Sequence, residues 1–304
     1  WYYGFDLDRQ LPDAADPVAE AIRRMAKAGF DAVDYTFNEM VSDDCVWNTP
    51  RWEEYGKELL TLARDQGVFF NQAHAPFIFH TSYLPDWNRE ILPMQIRCME
   101  ACALLGIPHM VVHPVHHLPY HHRGAPGKSN ADIIWDLNRE YYHLLQPYAK
   151  QFGVKMCLEN MFGEDQRRGC LVPDMFSDPH EYAQFLDELN DPDNFTCCID
   201  TGHAGITGED CGDTIRVMGS RVRALHLNDN DFRTDGHLIP FQGKIDWDDV
   251  MRALAEIDYQ GDFTFEALHL YEGMDDGFYA TSAKYLHDVG RYLIQKFQHY
   301  KEAL

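Results

Sequence analysis

Six side chains able to ligate a divalent cation recur along this chain: His74, His113, Glu159, Asp200, His226 and Glu266. The gaps between them are 39, 46, 41, 26 and 40 residues, each about one strand-plus-helix unit. Imidazoles and carboxylates bind borderline to hard metals, and the same groups move protons as general acids and bases. His203 follows Asp200 by three positions, and "TDGH" contributes Asp235 and His237. Each residue also has an ordinary reading. A lone strand-end histidine is more often a hydrogen-bonded core residue, a strand-end Glu can pair with a buried Arg, and Asp200 suits a helix N-cap. Buried charges are costly unless they are paired or bind metal, so the recurrence of the whole set at one end of successive strands points to a metal centre.

Such a set needs a scaffold that brings distant segments to one rim. The sequence alternates short apolar runs with longer amphipathic ones eight times. The strand candidates are 2–7, 32–37, 68–74, 109–115, 155–161, 195–201, 222–228 and 262–268, rich in β-branched, aromatic or Cys residues. Between them, "DPVAEAIRRMAKAG" opens with Asp16 as N-cap and Pro17 at the first helical position, and Gly29 closes it. Asp178, Pro179 and Glu181 repeat the device, and Asp246 opens a helix burying Val250, Leu254 and Ile257. Longer helices are expected near 51–66, 89–105, 130–152 and 278–298, and a short one near 210–220.

This alternation, without a break in composition, predicts one α/β domain over 1–304, a parallel (β/α)8 TIM barrel. The rival, a doubly wound open sheet, lacks its usual G-x-G-x-x-G after the first strand. In a barrel, the irregular stretches 115–130, 162–178 and 229–245 all follow strands and so lie on the face where active sites form.

Composition narrows the partners. With 49 acidic and 26 basic residues the formal charge is −23, which repels phosphate backbones and anionic membranes. No nucleic-acid or membrane partner is expected, and no stretch approaches the ~20 apolar residues of a membrane span. The eight cysteines form no C-x-x-C pair and read as reduced core thiols, so a cytoplasmic location is expected. The histidines of "HPVHHLPYHH" beyond His113 fall outside the strand spacing and read as a solvated or substrate-covering loop.

The motifs "LEN" (158–160), "IDTGHA" (199–204), "LHLNDND" (225–231), "DGHLIPFQGKIDW" (235–247) and "TFEAL" (264–268) resemble the sugar phosphate isomerase/epimerase family of the xylose isomerase-like barrels. "AHAPF" (73–77) and "VVHP" (111–114) extend the likeness over most of the chain. One departure is "IPFQGKIDW", where the family often has Pro-Gly. The resemblance implies one divalent ion (Mn, Mg, Co or Zn) held by Glu159, Asp200, His226 and Glu266. It implies a sugar or sugar derivative as substrate, with His74, His113, His203, Asp235 and His237 on the substrate side. The ion would act as a Lewis acid on a keto or aldo sugar, and Glu159 and Glu266 would shuttle a proton through an enediolate. Phe5, Tyr35, Phe37, Phe77 and Trp87 are candidate stacking walls, although Phe5, Tyr35 and Phe37 equally suit a core. A homo-oligomer is an open expectation, with the aromatic helix near 278–298 covering the barrel bottom or a partner.

The same superfamily supplies a rival. Apurinic endonucleases use nine ligands around three zinc ions, and all nine matching positions are present here. The net charge weighs against DNA, whose phosphates a protein must neutralise with Lys or Arg. Sugar or cyclitol lyases and dehydratases, including those that cleave C-glycosides, and a non-catalytic sugar-binding protein are further alternatives on the same fold.

Overall fold

The computed structural model describes residues 14–77, 91–116, 129–165, 167–267 and 276–304. The chain runs α1 (Pro17–Ala28), β1 (Ala32–Thr36), α2 (Trp52–Gln66), β2 (Phe69–His74), α3 (Leu92–Leu105), β3 (His109–Val112) and α4 (Asn130–Phe152). It continues with β4 (Lys155–Glu159), β5 (Phe162–Asp165), β6 (Cys170–Pro173), α5 (Pro179–Leu189), β7 (Phe195–Asp200), α6 (Thr201–Thr207) and α7 (Cys211–Met218). β8 (Val222–His226), α8 (Trp247–Glu256) and α9 (Asp276–Ala303) complete it.

Six strands pair in the order β1-β2-β3-β4-β7-β8, every pair parallel. The sheet curls. Asn71 of β2 reaches across the interior to donate to Thr264 Oγ1 at 2.9 Å, though the two lie 193 residues apart in sequence. The segment 262–268, expected as the last strand, is reduced to a single parallel bridge between Leu227 and Phe265. Leu227 N donates to the Thr264 carbonyl and Glu266 N to the Leu227 carbonyl, and these two bonds carry Glu266 into the rim. The first strand candidate, 2–7, lies outside the described residues.

The helices follow their sequence signals. Asp16 caps α1 by accepting from Ala19 N, and Gly29 ends it in the left-handed conformation (φ 104) that an L side chain adopts only with strain. Asp178 and Asp246 cap α5 and α8 in the same way. Val250 and Leu254 are buried, while Ile257 sits at the end of α8, partly exposed. α9 extends beyond the expected range at both ends. Tyr142 on α4 and Tyr182 on α5 bury their rings against the sheet and donate to the carbonyls of Val112 and Leu158, so large apolar rings enter the core without leaving a hydroxyl unsatisfied.

Three features were not anticipated. The stretch after β4 forms a two-stranded antiparallel hairpin, β5–β6. α6 is an additional short helix ahead of the one expected near 210–220, and it starts at the end of β7 with Asp200 as its N-cap. Seven of the eight free cysteines are buried, but Cys170, at the start of β6, is exposed. Tyr35 and Phe37 belong to the core: both pack on Trp47, whose Nε1 donates to the Tyr35 hydroxyl at 2.9 Å. Phe5 and Trp87 lie outside the described residues.

Candidate metal and catalytic centre

β2, β4, β7 and β8 end on His74, Glu159, Asp200 and His226, and His113 follows β3 directly. In parallel strands these ends share one rim. The side chains meet there: donor atoms of Glu159, Asp200, His226 and Glu266 all lie within 4.8 Å of one another, and all four residues are buried. His226 Nδ1 is 3.0 Å from Glu159 Oε1 and 3.3 Å from Glu266 Oε2. On the other side of Glu159, Oε2 is 3.0 Å from His113 Nε2 and 3.5 Å from His74 Nε2, and the two imidazole nitrogens are 3.0 Å apart. Such spacings are close to the ~3.3 Å edge of a tetrahedron with ~2.0 Å metal–ligand bonds. A third group, His203, Asp235 and His237, gathers beside the first, with His203 Nδ1 3.7 Å from Glu159 Oε1 and His237 Nδ1 4.0 Å from Glu266 Oε2.

Asp200 does two things at once. Its Oδ1 accepts from His203 N at 2.7 Å and so caps α6, while Oδ2 accepts from Asn228 Nδ2, also at 2.7 Å. Each oxygen keeps further acceptor capacity, so the capping and ligand readings of this residue are compatible. Asn228 sits close against the start of α6; a Cβ on Gly202 would lie 2.0 Å from its Oδ1, which explains the glycine.

Whether these residues fit a cation can be judged from their chemistry. Three carboxylates, Glu159, Asp200 and Glu266, are buried together, and among the described residues no Lys or Arg forms an ion pair with them. Burial pushes the Glu266 carboxyl up to about 8; His226 and His237 oppose this, and the Glu159 and Asp200 charges add to it. Burial also opposes ionisation of Glu159, but His226 and His113 outweigh it and hold that carboxyl well below its ordinary range. Buried like charges of this kind are relieved by a metal ion.

The imidazoles are oriented for the same purpose. His74, His203 and His237 each place Nδ1 2.7–2.8 Å from a backbone carbonyl, those of Ala75, Asn160 and Glu266. A carbonyl only accepts, so Nδ1 carries a proton, and Nε2 is the nitrogen that a bound cation would meet. The donor set therefore fits a divalent ion, with mixed O and N ligands suited to hard or borderline metals.

Several contributors escaped sequence reasoning. Asn160 donates to the Asp200 carbonyl and accepts from Asp200 N, tying β4 to β7. Asp229, buried, accepts from the backbone of Asn230, Phe241 and Ile245 and from Trp247 Nε1, and so folds the loop that carries Asp235 and His237. Phe162 of the hairpin packs edge-on against His203 at 4.9 Å; Phe77, expected as a stacking wall, packs on His74 and His113. A polar residue inside an otherwise apolar run was the available signal for Asp34 and Gln72, which lie beneath His226. The histidines at 117, 121 and 122 lie outside the described residues.

A family model described as xylose isomerase-like TIM barrel matches residues 22–286. A D-psicose 3-epimerase of Ruminiclostridium cellulolyticum is 23% identical over 296 residues, 91% of this chain and 92% of that protein. A probable endonuclease 4 of Methanoculleus marisnigri is 28% identical over 173 residues, 51% of this chain and 55% of its own. The structure of an L-ribulose 3-epimerase superposes with a TM-score of 0.71 at 16% identity, covering 95% of this chain and 93% of the other. The chain spans about half the length of two curated relatives it matches: the endonuclease, and an uncharacterized protein of Sinorhizobium fredii that is 35% identical over 185 residues, 60% of this chain and 54% of that protein. The chain belongs to the xylose isomerase-like TIM barrel family.

Proposed function

We propose that this xylose isomerase-like barrel is a divalent-metal-dependent isomerase or epimerase of a keto or aldo sugar. The observation that carries the reading is the buried cluster of Glu159, Asp200, His226 and Glu266, whose donor atoms lie within 4.8 Å of one another. The epimerase relative, which aligns over 91% of this chain, supports the sugar class. When bound by these four residues, a divalent ion (Mn, Mg, Co or Zn) supplies Lewis acidity that polarises a sugar carbonyl and acidifies the neighbouring C–H.

Proton movement falls to the two glutamates. Glu159 and Glu266 flank the same His226 nitrogen at 3.0 and 3.3 Å, and their surroundings drive their carboxyl groups apart, Glu159 well down and Glu266 up to about 8. Two carboxylates placed on either side of the same site suit complementary tasks: one takes the proton and the other returns it. Loss of the proton beside the carbonyl leaves an enediolate. Return on the opposite face gives an epimer, and return to the neighbouring carbon gives an isomer. Phe77 and Phe162 form apolar walls beside the imidazoles, and His203, Asp235 and His237 offer hydrogen bonds to sugar hydroxyls. A homo-oligomer and a cytoplasmic location accompany this reading.

The test is isotopic. In heavy water, turnover of free, phosphorylated and 3-keto sugars incorporates deuterium beside the carbonyl, and Glu159→Gln or Glu266→Gln lowers turnover by ~10²–10⁴-fold. Full turnover in both variants, or product without deuterium, sinks the mechanism. The endonuclease reading retains one favourable observation, the convergence of His74, His113 and Glu159 and of His203, Asp235 and His237 beside the central cluster. Elemental analysis separates the two: about one ion per chain fits the sugar enzyme, and about three with cleavage at abasic sites fits the nuclease. Lyase or dehydratase chemistry on the same site would appear in the sugar panel as elimination products.

A further inference from the structure

Below the rim, the barrel interior holds one more carboxylate. Asp34 is an internal residue of β1 and only 2% exposed. Gln72 of β2 donates from Nε2 to Asp34 Oδ2 at 2.6 Å, with the Leu225 carbonyl 3.4 Å from the same nitrogen. Thr264 Oγ1 donates to Gln72 Oε1 at 3.3 Å, and Asn71 Nδ2 donates to Thr264 Oγ1 at 2.9 Å. The Gln72 amide is thereby fixed: its oxygen takes the hydroxyl proton and its NH₂ faces Asp34. That same Asp34 oxygen lies 3.4 Å from His226 Nε2, on the side of the ring opposite Glu159 and Glu266.

We infer that Asp34 is a positioning residue: it holds His226 with its proton on Nε2, so that Nδ1 is the nitrogen offered to the cation set of Glu159, Asp200 and Glu266. The inference rests on the metal reading of that set. A neutral imidazole has one N–H. Nδ1 faces Glu159 at 3.0 Å and Glu266 at 3.3 Å, so a cation held there would take the Nδ1 lone pair and leave the ring's one proton on Nε2, the nitrogen 3.4 Å from the Asp34 carboxylate. With the proton on Nε2, that N–H faces the Asp34 carboxylate at an ion-pair distance of 3.4 Å, and the lone pair turns to the cluster.

His226 inverts the pattern of its neighbours. His74, His203 and His237 donate from Nδ1 to backbone carbonyls and present Nε2; His226 has Nδ1 facing the cluster and a side-chain carboxylate behind it. A carboxylate behind a ligating imidazole also makes the ring a stronger donor than a carbonyl does. The arrangement has a cost. Asp34 Oδ1 is buried with no hydrogen-bond partner among the described residues, which packing alone would not select.

The test uses Zn²⁺ as the probe on the full chain, titrated against a competing chelator, together with ¹⁵N imidazole spectra of the zinc-loaded protein. Wild type is expected to show His226 with a retained Nε2–H and a coordinated Nδ1. Asp34→Leu lowers Zn²⁺ affinity by ~10–100-fold, the range typical of such supporting groups. Asp34→Asn, whose oxygen can still accept the Nε2–H, keeps that proton signal but binds Zn²⁺ roughly several-fold more weakly, because the negative charge is gone. The Asn variant carries the test if the Leu variant does not fold. Affinity equal to wild type in Asp34→Asn, or a wild-type His226 coordinated through Nε2, overturns the inference. Glu159→Gln is the control. If it abolishes Zn²⁺ binding while both Asp34 variants bind normally, the metal site stands and the role of Asp34 falls. If wild type and Glu159→Gln bind alike, the metal reading itself fails, and this inference falls with it.

Discussion

At the foot of the barrel, His109 opens β3 opposite Lys155 of β4, and burial, helped by the charges of Lys155 and Arg223, pushes its imidazole down to about 4. At the rim, burial also pulls on His237, yet Asp235 and Glu266 more than offset it and hold the ring up at about 10. The two rings sit on one scaffold and share the same intrinsic chemistry. What differs is the company: cations at the foot, carboxylates at the rim. Burial alone never raises an imidazole, so the shift at His237 measures how negative the rim is.

The largest expected effect comes from dismantling the rim's frame. Asp229→Ala leaves three backbone N–H groups, two of them buried, and the buried Trp247 indole without their acceptor. The metal-free protein should lose about 2–4 kcal/mol in urea unfolding, since a single unsatisfied buried donor costs about 1–3 kcal/mol and relaxation recovers part of the sum. An unchanged midpoint would mean that this carboxylate does not organise the loop holding Asp235 and His237.

The two imidazoles give a smaller, signed test. His237 has a folded value above that of a free imidazole, so its stabilisation is complete below about 6.5 and is lost as pH rises through about 10. His109 has a depressed value, so its contribution is present above about 6.5 and is lost as pH falls through about 4. Melting curves of the metal-free protein across pH should therefore lose a limb on the alkaline side in His237→Gln and on the acid side in His109→Gln. Equal pH profiles for the two variants would erase the contrast between the ends.

The smallest effect is expected far from both. Lys301 pairs with Asp258 at 2.6 Å, both well exposed, and Lys301→Ala should change stability by less than about 1 kcal/mol. A larger loss would show that solvent-facing pairs contribute on the scale of the rim, and the distinction between buried and exposed charge would lose its force.

Much of this was legible in the sequence, for identifiable reasons. Helix caps are local, so Asp16, Asp178 and Asp246 announced α1, α5 and α8. Strand-end ligand types at intervals of one structural unit are also readable, so Glu159, Asp200, His226 and Glu266 could be named as a set before any contact was known. The β5–β6 hairpin was missed because its residues carry no alternating apolar pattern. The last strand shrank to a bridge because pairing depends on a neighbour's position, which β-propensity does not encode.

By itself the sequence determined the barrel class, the family likeness and the residues able to hold a cation, because patterning and side-chain chemistry are carried one residue at a time. The tertiary structure decided which nitrogen each histidine presents, which carboxylate is driven up and which down, and that Asp34, 192 residues from His226 in sequence, lies 3.4 Å from its ring. Those are properties of distance and burial. Electrostatic and hydrogen-bond energies depend on where neighbours stand in space, and only the curled sheet sets that.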